Sequence, residues 1–166
     1  MNWDQYFMSM VYLISMKSKD QKTKHGAVIV DSDNSIRSTG YNSFPRGIND
    51  NIQERQERPE KYLWFEHAER NAVYNAARIG VSVNGCKMYT AGVPCMDCAR
   101  AIVQSGIKTV VVHKSHVDDQ KGQGQEVWKE HTKRTIILFE ESGVTLEFFD
   151  GEIIRNIVGM RNGEPI

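Results

Sequence analysis

Several things are scarce or missing in this chain of 166 residues. No stretch approaches the roughly 20 consecutive apolar residues of a membrane span. The opening Met1-Asn2-Trp3-Asp4-Gln5 lacks a basic region followed by an apolar run, so no secretory leader is expected. Cysteine is sparse, with three residues, and two of them fall in Cys95-x-x-Cys98. An odd, low count excludes a disulfide framework and points to a reducing compartment, so a soluble cytoplasmic protein is the expectation. Net charge is missing too, because 21 basic residues balance 21 acidic ones. No general attraction for polyanions follows, no nucleic-acid or membrane partner is expected, and an anionic substrate must be met by local cations. There is no internal repeat, heptad array or low-complexity segment.

What remains is ordinary for one soluble domain spanning residues 1–166, with 40% hydrophobic and 25% charged residues. Phe7, Met8, Val11, Tyr12 and Ile14 recur at helical spacing from Trp3 to Lys17, with Asp4 as a candidate cap. Gly26-Ala27-Val28-Ile29-Val30 reads as a buried strand, and Asp31-Ser32-Asp33-Asn34 as the turn into a second strand from Ile36 to Thr39. Between Asn42 and Phe65 the composition turns polar, with Pro45 and Pro59 as breakers, and no regular strand is expected there. A helix follows from His67 to Ile79, stopped by Gly80, then a strand from Cys86 to Thr90. Pro94 opens a helix from Cys95 to Ser105. Thr109 to Val112 is a strand, Gln125 to Ser142 a helix, Val144 to Phe149 a last strand, and Gly159 to Ile166 a mobile tail. Strands alternating with helices imply a three-layer α/β domain.

His67-Ala68-Glu69 and Pro94-Cys95-Met96-Asp97-Cys98 carry the chemistry. One histidine and two thiolates leave the fourth position of a tetrahedral zinc open, as catalytic sites do. Both groups sit at expected helix starts, where unpaired N–H groups and the helix dipole favour the thiolate. A zinc so held acidifies its water toward neutral pH and yields a hydroxide nucleophile. Glu69, too close to His67 to be an independent ligand, can serve as base and then as acid. The competing readings are a structural zinc knuckle, or two buried cysteines beside a helical histidine. His25 and His113 have no partner at ligand spacing and read as satisfied strand histidines, and Cys86 as a buried small hydrophobe.

H-x-E followed by P-C-x-x-C is the signature of zinc nucleobase deaminases. With Gly26 to Val30, Gly40-Tyr41-Asn42-Ser43-Phe44-Pro45, His67 to Ala72, Pro94 to Ile102 and Gln104 to Lys108, the chain resembles the deoxycytidylate deaminases of the cytidine deaminase-like superfamily. The resemblance implies a five-stranded mixed sheet between helix layers and conversion of dCMP to dUMP and ammonia for thymidylate synthesis. It assigns Asn42 to the deoxyribose and Ala68 to the cytosine carbonyl through its backbone N–H. Lys22, Lys24 and Arg46 are candidate phosphate cations, and Trp64 and Phe65 candidate pocket walls. It further implies a hexamer activated by dCTP and inhibited by dTTP, the triphosphate carrying Mg2+, at a loop that here includes Gly40, Ser43, Pro45 and Gly47. Ser43 departs from the glycine common there and could crowd a triphosphate. The segment from Ile48 to Phe65 lacks cysteine and histidine, so one Zn2+ per chain is expected.

Two rivals stand beside this reading. One keeps the chemistry and changes the substrate to a tRNA adenosine, a free base or a nucleoside. The other is an inactive zinc-binding scaffold, which would need the ligands but not Glu69.

Overall fold

The structure is a computed structural model that describes residues 1–120 and 126–165. Helix α1 (Trp3–Ser15) leads into strands β1 (Gly26–Val30) and β2 (Ile36–Tyr41). A polar segment follows, with a 3-10 turn at Gln53–Gln56 and the short helix α2 (Lys61–Trp64). Then come α3 (Ala68–Ile79), β3 (Lys87–Thr90), α4 (Met96–Gln104), β4 (Thr109–His113), α5 (Lys114–Gln120), α6 (Glu126–Ser142) and β5 (Thr145–Phe149). Gln125, assigned by the sequence to the start of the last long helix, lies outside the described residues. No described helix is long and apolar enough to cross a membrane.

The five strands form one mixed sheet in the order β2-β1-β3-β4-β5. β1 pairs antiparallel with both β2 and β3, while β3, β4 and β5 run parallel. All five residues of β1 are buried because the sheet is covered on both sides. Ala27, Ile29, Met88, Val110 and Val112 face one core with α3, α4 and Phe139 of α6. Val28, Val30, Tyr89 and Val111 face the other, filled by Phe7, Met8 and Val11 of α1. The three-layer α/β/α architecture expected from the strand and helix alternation is the one observed.

Differences from the sequence reading have local causes. Asn2, with extended backbone, caps α1 by accepting the Gln5 N–H at 2.8 Å. Asp4 already lies inside the first turn, and its carboxylate accepts the Tyr89 hydroxyl at 2.6 Å. β2 continues to Tyr41, two residues past the expected end. α5 has too few apolar residues to show helical periodicity. Met160–Arg161 and Glu164–Pro165 close as a small hairpin (β6 and β7) through Asn162 and Gly163, both at positive φ, where a mobile tail was expected.

Direction decides where a site can form. Gly26 pairs with Tyr41, Ala27 with Thr90, and Thr90 with Val112. The start of β1 and the ends of β2, β3 and β4 therefore share one edge of the sheet. Ligands of open α/β sheets sit outside such carboxyl ends. Thr135 of α6, fully buried, donates to the Pro94 carbonyl at 2.9 Å and fixes the chain entering α4 at this edge. β2 packs so tightly on α3 that a Cβ on Gly40 would lie 2.3 Å from both the Ala68 oxygen and the Ala72 nitrogen. Gly40→Ala is therefore expected to lower stability by about 1–3 kcal/mol, the usual cost of overpacking, read as a lower midpoint in urea unfolding.

Candidate metal centre and active site

His67 and Cys95 occupy equivalent positions: each is the N-cap of its helix, with extended backbone and a side chain that makes no capping bond. Both side chains are thereby free to turn toward each other. Cys98 lies one turn into α4 and Glu69 in the first turn of α3. The His67 Nδ1 is 3.5 Å from the sulfur of Cys95 and 3.5 Å from that of Cys98. The ligand atoms all lie within 4.8 Å of one another. A tetrahedral zinc with its usual bond lengths separates a nitrogen and a sulfur ligand by about 3.5 Å. Donor set and spacing thus fit zinc. Among the described residues no other group of histidine, cysteine or carboxylate side chains gathers in this way.

Charge is arranged to hold a thiolate at Cys95. Cys95 is held well below the ordinary thiol range, to about 3, by the Cys98 thiol and, beyond the opposing effect of burial, by His67. The same bond pushes Cys98 up, with burial adding to it, and the Cys95 contact raises His67. Arg70 ties the two helix starts together. It pairs with Glu66, which also accepts the His67 backbone N–H at 2.9 Å, and reaches Asp97, between the cysteines, at 3.5 Å. Burial opposes its charge, but Cys98 and Glu66 raise its proton affinity overall. A carboxylate oxygen of Glu69 is 3.6 Å from the Cys98 sulfur and lies outside the ligand group.

A family model described as the cytidine and deoxycytidylate deaminase zinc-binding region matches residues 1–114. The chain belongs to this deaminase family. It is 35% identical over 154 residues to the deoxycytidylate deaminase of Mus musculus, covering 90% of this chain and 80% of that one. The Homo sapiens deoxycytidylate deaminase is 35% identical over 156 residues, with the same coverage. Among solved structures, the dCMP deaminase of cyanophage S-TIM5 in complex with dCMP and dUMP superposes with a TM-score of 0.67 at 25% identity, covering 87% of this chain and 95% of that one.

In this deaminase the residues singled out from sequence are placed unevenly. Asn42 is buried. Its amide donates to the Thr23 carbonyl at 2.8 Å and to Asp20 at 3.2 Å, and its Oδ1 accepts the His25 N–H at 2.7 Å. One lone pair on that oxygen remains for a ligand. Ala68 is fully buried against Gly40. Phe65 packs on Phe44, ring centroids 4.2 Å apart, and Trp64 lies under Arg55. Of the candidate cations, Lys24 donates to the Ser18 carbonyl, Arg46 to Asn75 of α3 at 2.6 Å, and Lys22 is exposed. Ser43 pairs with Glu66 through both backbone hydrogen bonds, at 3.0 and 2.8 Å, which closes the polar segment immediately before His67. Pro45 and Gly47 are exposed beyond that closure, with Gly47 at positive φ. Cys86 is buried, and His113 is satisfied by Tyr12 at 2.7 Å and the Gly151 carbonyl at 3.0 Å.

The part played by five residues is not apparent from the sequence. Asp20 and Lys61 form a buried ion pair, 2% and 13% exposed, that anchors the loop before β1 to the polar segment. They lie too far apart in sequence for any spacing rule to join them. His131 of α6 accepts the Met96 N–H at 3.4 Å. Arg70 stood inside the quoted motif, but only folding brings Asp97 to it. His25, read as a strand histidine, lies beside Asn42 at the carboxyl edge. Its imidazole is held below the ordinary range by burial, against the pull of Glu69.

Two outcomes follow for the deaminase. Arg70→Met should weaken zinc affinity by about 10–100-fold, the usual cost of losing a residue that orients metal ligands, measured by competition with a chelator. Burial pushes the Asp20 carboxyl up, but the Lys61 hydrogen bond and those of the Lys22 and Thr23 N–H groups outweigh it, leaving it below 3.8. Its contribution to stability is therefore present above that pH and lost as pH falls through the lowered folded value. Asp20→Ala, which strands the Lys61 charge, should cost about 3–5 kcal/mol at pH 7, and the gap to the wild type should close in urea unfolding at acid pH.

Proposed function

We propose that this deaminase hydrolyses dCMP to dUMP and ammonia, supplying dUMP for thymidylate synthesis. The observation that carries the reading is a three-ligand zinc group with one uncommitted carboxylate, Glu69, at its edge. The substrate follows from the named relatives and from the dCMP and dUMP bound to the cyanophage deaminase. His67, Cys95 and Cys98 are the residues that would hold the metal. When bound, zinc supplies a Lewis acid that lowers the pKa of a coordinated water.

The chain's own residues do the rest. Glu69 takes a proton from the attacking water, delivers it to N3 of the cytosine, and carries the second proton to the departing amino group as the C4–N4 bond breaks. A carboxylate committed to the metal could not make both transfers. The Ala68 N–H, at the open end of α3, can donate to the cytosine carbonyl, because a methyl side chain leaves the backbone accessible. The free lone pair of Asn42 Oδ1 can accept the deoxyribose hydroxyl hydrogen. Phe65 backs the pocket through Phe44.

Hexameric assembly, and control by dCTP and dTTP with Mg2+ accompanying the triphosphate, extend the reading on family resemblance. An effector seated on the Gly40 to Gly47 segment would bear on Ser43, whose partner Glu66 adjoins the ligand His67. Such an effector could act through the metal site itself.

Glu69→Ala is expected to keep stoichiometric zinc by elemental analysis while ammonia release falls by a factor of about 10²–10⁴. Cys98→Ala should lose the metal together with activity. Side-by-side turnover of dCMP, CMP, dCTP, cytidine and a tRNA adenosine substrate tests the substrate. Faster release from any of the others overturns dCMP, and undiminished activity of the Glu69 variant overturns the proton shuttle.

A further inference from the structure

The buried ion pair of Asp20 and Lys61 does more than anchor a loop, because of what else the carboxylate touches. Its Oδ1 accepts the Lys22 and Thr23 N–H groups at 2.8 and 3.0 Å, which folds the chain around it. Its Oδ2 faces Lys61 at 2.5 Å and the side-chain amide of Asn42 at 3.2 Å. Asp20 and Asn42 are both buried, so water does not compete for their contact.

An amide turned by half a rotation keeps its shape, so only its neighbours fix which end is oxygen. At Asn42 they leave one arrangement. Nδ2 faces two acceptors, the Asp20 carboxylate and the Thr23 carbonyl, while Oδ1 faces a donor, the His25 N–H. Turned the other way, the amide would set its N–H groups against the His25 N–H and its oxygen against a carboxylate. The unfilled lone pair of Oδ1 is therefore an acceptor whose polarity is locked. Two ties also place it relative to the metal group. Ser43, next in sequence, is bridged to Glu66, which precedes His67. Lys61, which holds Asp20, opens the short helix α2 just before that bridge.

We propose that Asp20 is a positioning residue: by holding the Asn42 amide in this single orientation, it makes the sugar end of the site take only a hydrogen-bond donor. On a 2′-deoxynucleoside 5′-monophosphate that donor is the 3′-hydroxyl, the one hydroxyl left on the sugar. Selection of a 3′-hydroxyl over a 3′-hydrogen is thus set by a carboxylate that does not touch the substrate. Lys61 stabilises that carboxylate and contributes stability, not selectivity.

The inference rests on the reading of dCMP as substrate with Asn42 as its sugar contact, and the test separates the two. Zinc-loaded wild type, Asp20→Asn and Lys61→Met are compared on dCMP and on its 3′-deoxy counterpart, 2′,3′-dideoxycytidine monophosphate. The wild type should favour dCMP in kcat/KM by about tenfold, the contribution of one hydrogen bond. In Asp20→Asn the new amide oxygen is claimed by the Lys22 and Thr23 N–H groups, so its nitrogen meets the Asn42 nitrogen. The preference should then fall toward one, chiefly through a higher KM for dCMP. Lys61→Met leaves Asp20 its bonds to Asn42, Lys22 and Thr23; it should lower the urea midpoint and leave the preference in place. If Asp20→Asn does not fold by circular dichroism, the double variant with Lys61→Met, which strands no charge, takes its place. A merely structural pair would depress both substrates alike. A preference that survives the Asp20 change, or is lost equally in Lys61→Met, overturns the proposal, as does a wild type with no preference in turnover or binding. Binding is read without turnover by calorimetry with dUMP and its 3′-deoxy counterpart. If the wild type fails to deaminate dCMP but binds dUMP more tightly, and the Asp20 change abolishes that difference, the substrate reading falls and the positioning role stands. If dCMP is deaminated and the preference ignores Asp20, the positioning role falls alone.

Discussion

Two helix N-termini are brought together at the carboxyl edge of the sheet, and every part of the site depends on that meeting. α3 starts from His67 and α4 from Cys95, each as an N-cap with extended backbone. Their unpaired N–H groups and aligned dipoles concentrate positive potential where the two cysteines and the Glu69 carboxylate sit. Holding two such ends at one point is unfavourable without negative charge between them. The cysteines supply that charge, and Arg70 balances it by binding Glu66 on one helix approach and Asp97 on the other.

The scaffold fixes this meeting through packing. β2 approaches α3 so closely that only glycine fits at position 40, and the Thr135 hydroxyl pins Pro94 as the chain enters α4. These contacts lie in the core on one side of the sheet, which α3, α4 and α6 share. The opposite core, built from α1, contributes no ligand. It covers the second face and carries a separate network in which Tyr12, His113 and Gly151 join α1, β4 and the chain after β5. Chemistry and support are thus divided between the two faces of one sheet.

Much of this was legible in the residues. Helical and strand periodicities located nearly every long element, because apolar spacing reflects burial directly. Asn2 and Asp4 are both competent caps by residue type, and the structure gives the cap to Asn2, whose side chain accepts the Gln5 N–H, while Asp4 accepts the Tyr89 hydroxyl. The hairpin at the end of the chain went unread although Asn162-Gly163 is a strong turn signal. The polar segment was expected to lack strands. That it is closed by a backbone bridge between Ser43 and Glu66, and anchored by Asp20 and Lys61, has no local signature.

The sequence by itself determined the donor set of the candidate metal group. A histidine, two cysteines and a neighbouring glutamate in fixed spacing carry their meaning locally, because each pair sits within one helix turn and the donor types select the metal. Tertiary structure alone decided what surrounds that chemistry. Whether Arg46 or His25 faces the site depends on strand order and direction, which place the start of β1 beside the ends of β2 and β3 and carry Arg46 outward to Asn75. Contacts between residues distant in sequence arise from sheet pairing and helix packing, and no short motif encodes them. That is why the candidate metal group could be named from the chain, while Arg70's clamp emerges only from the fold.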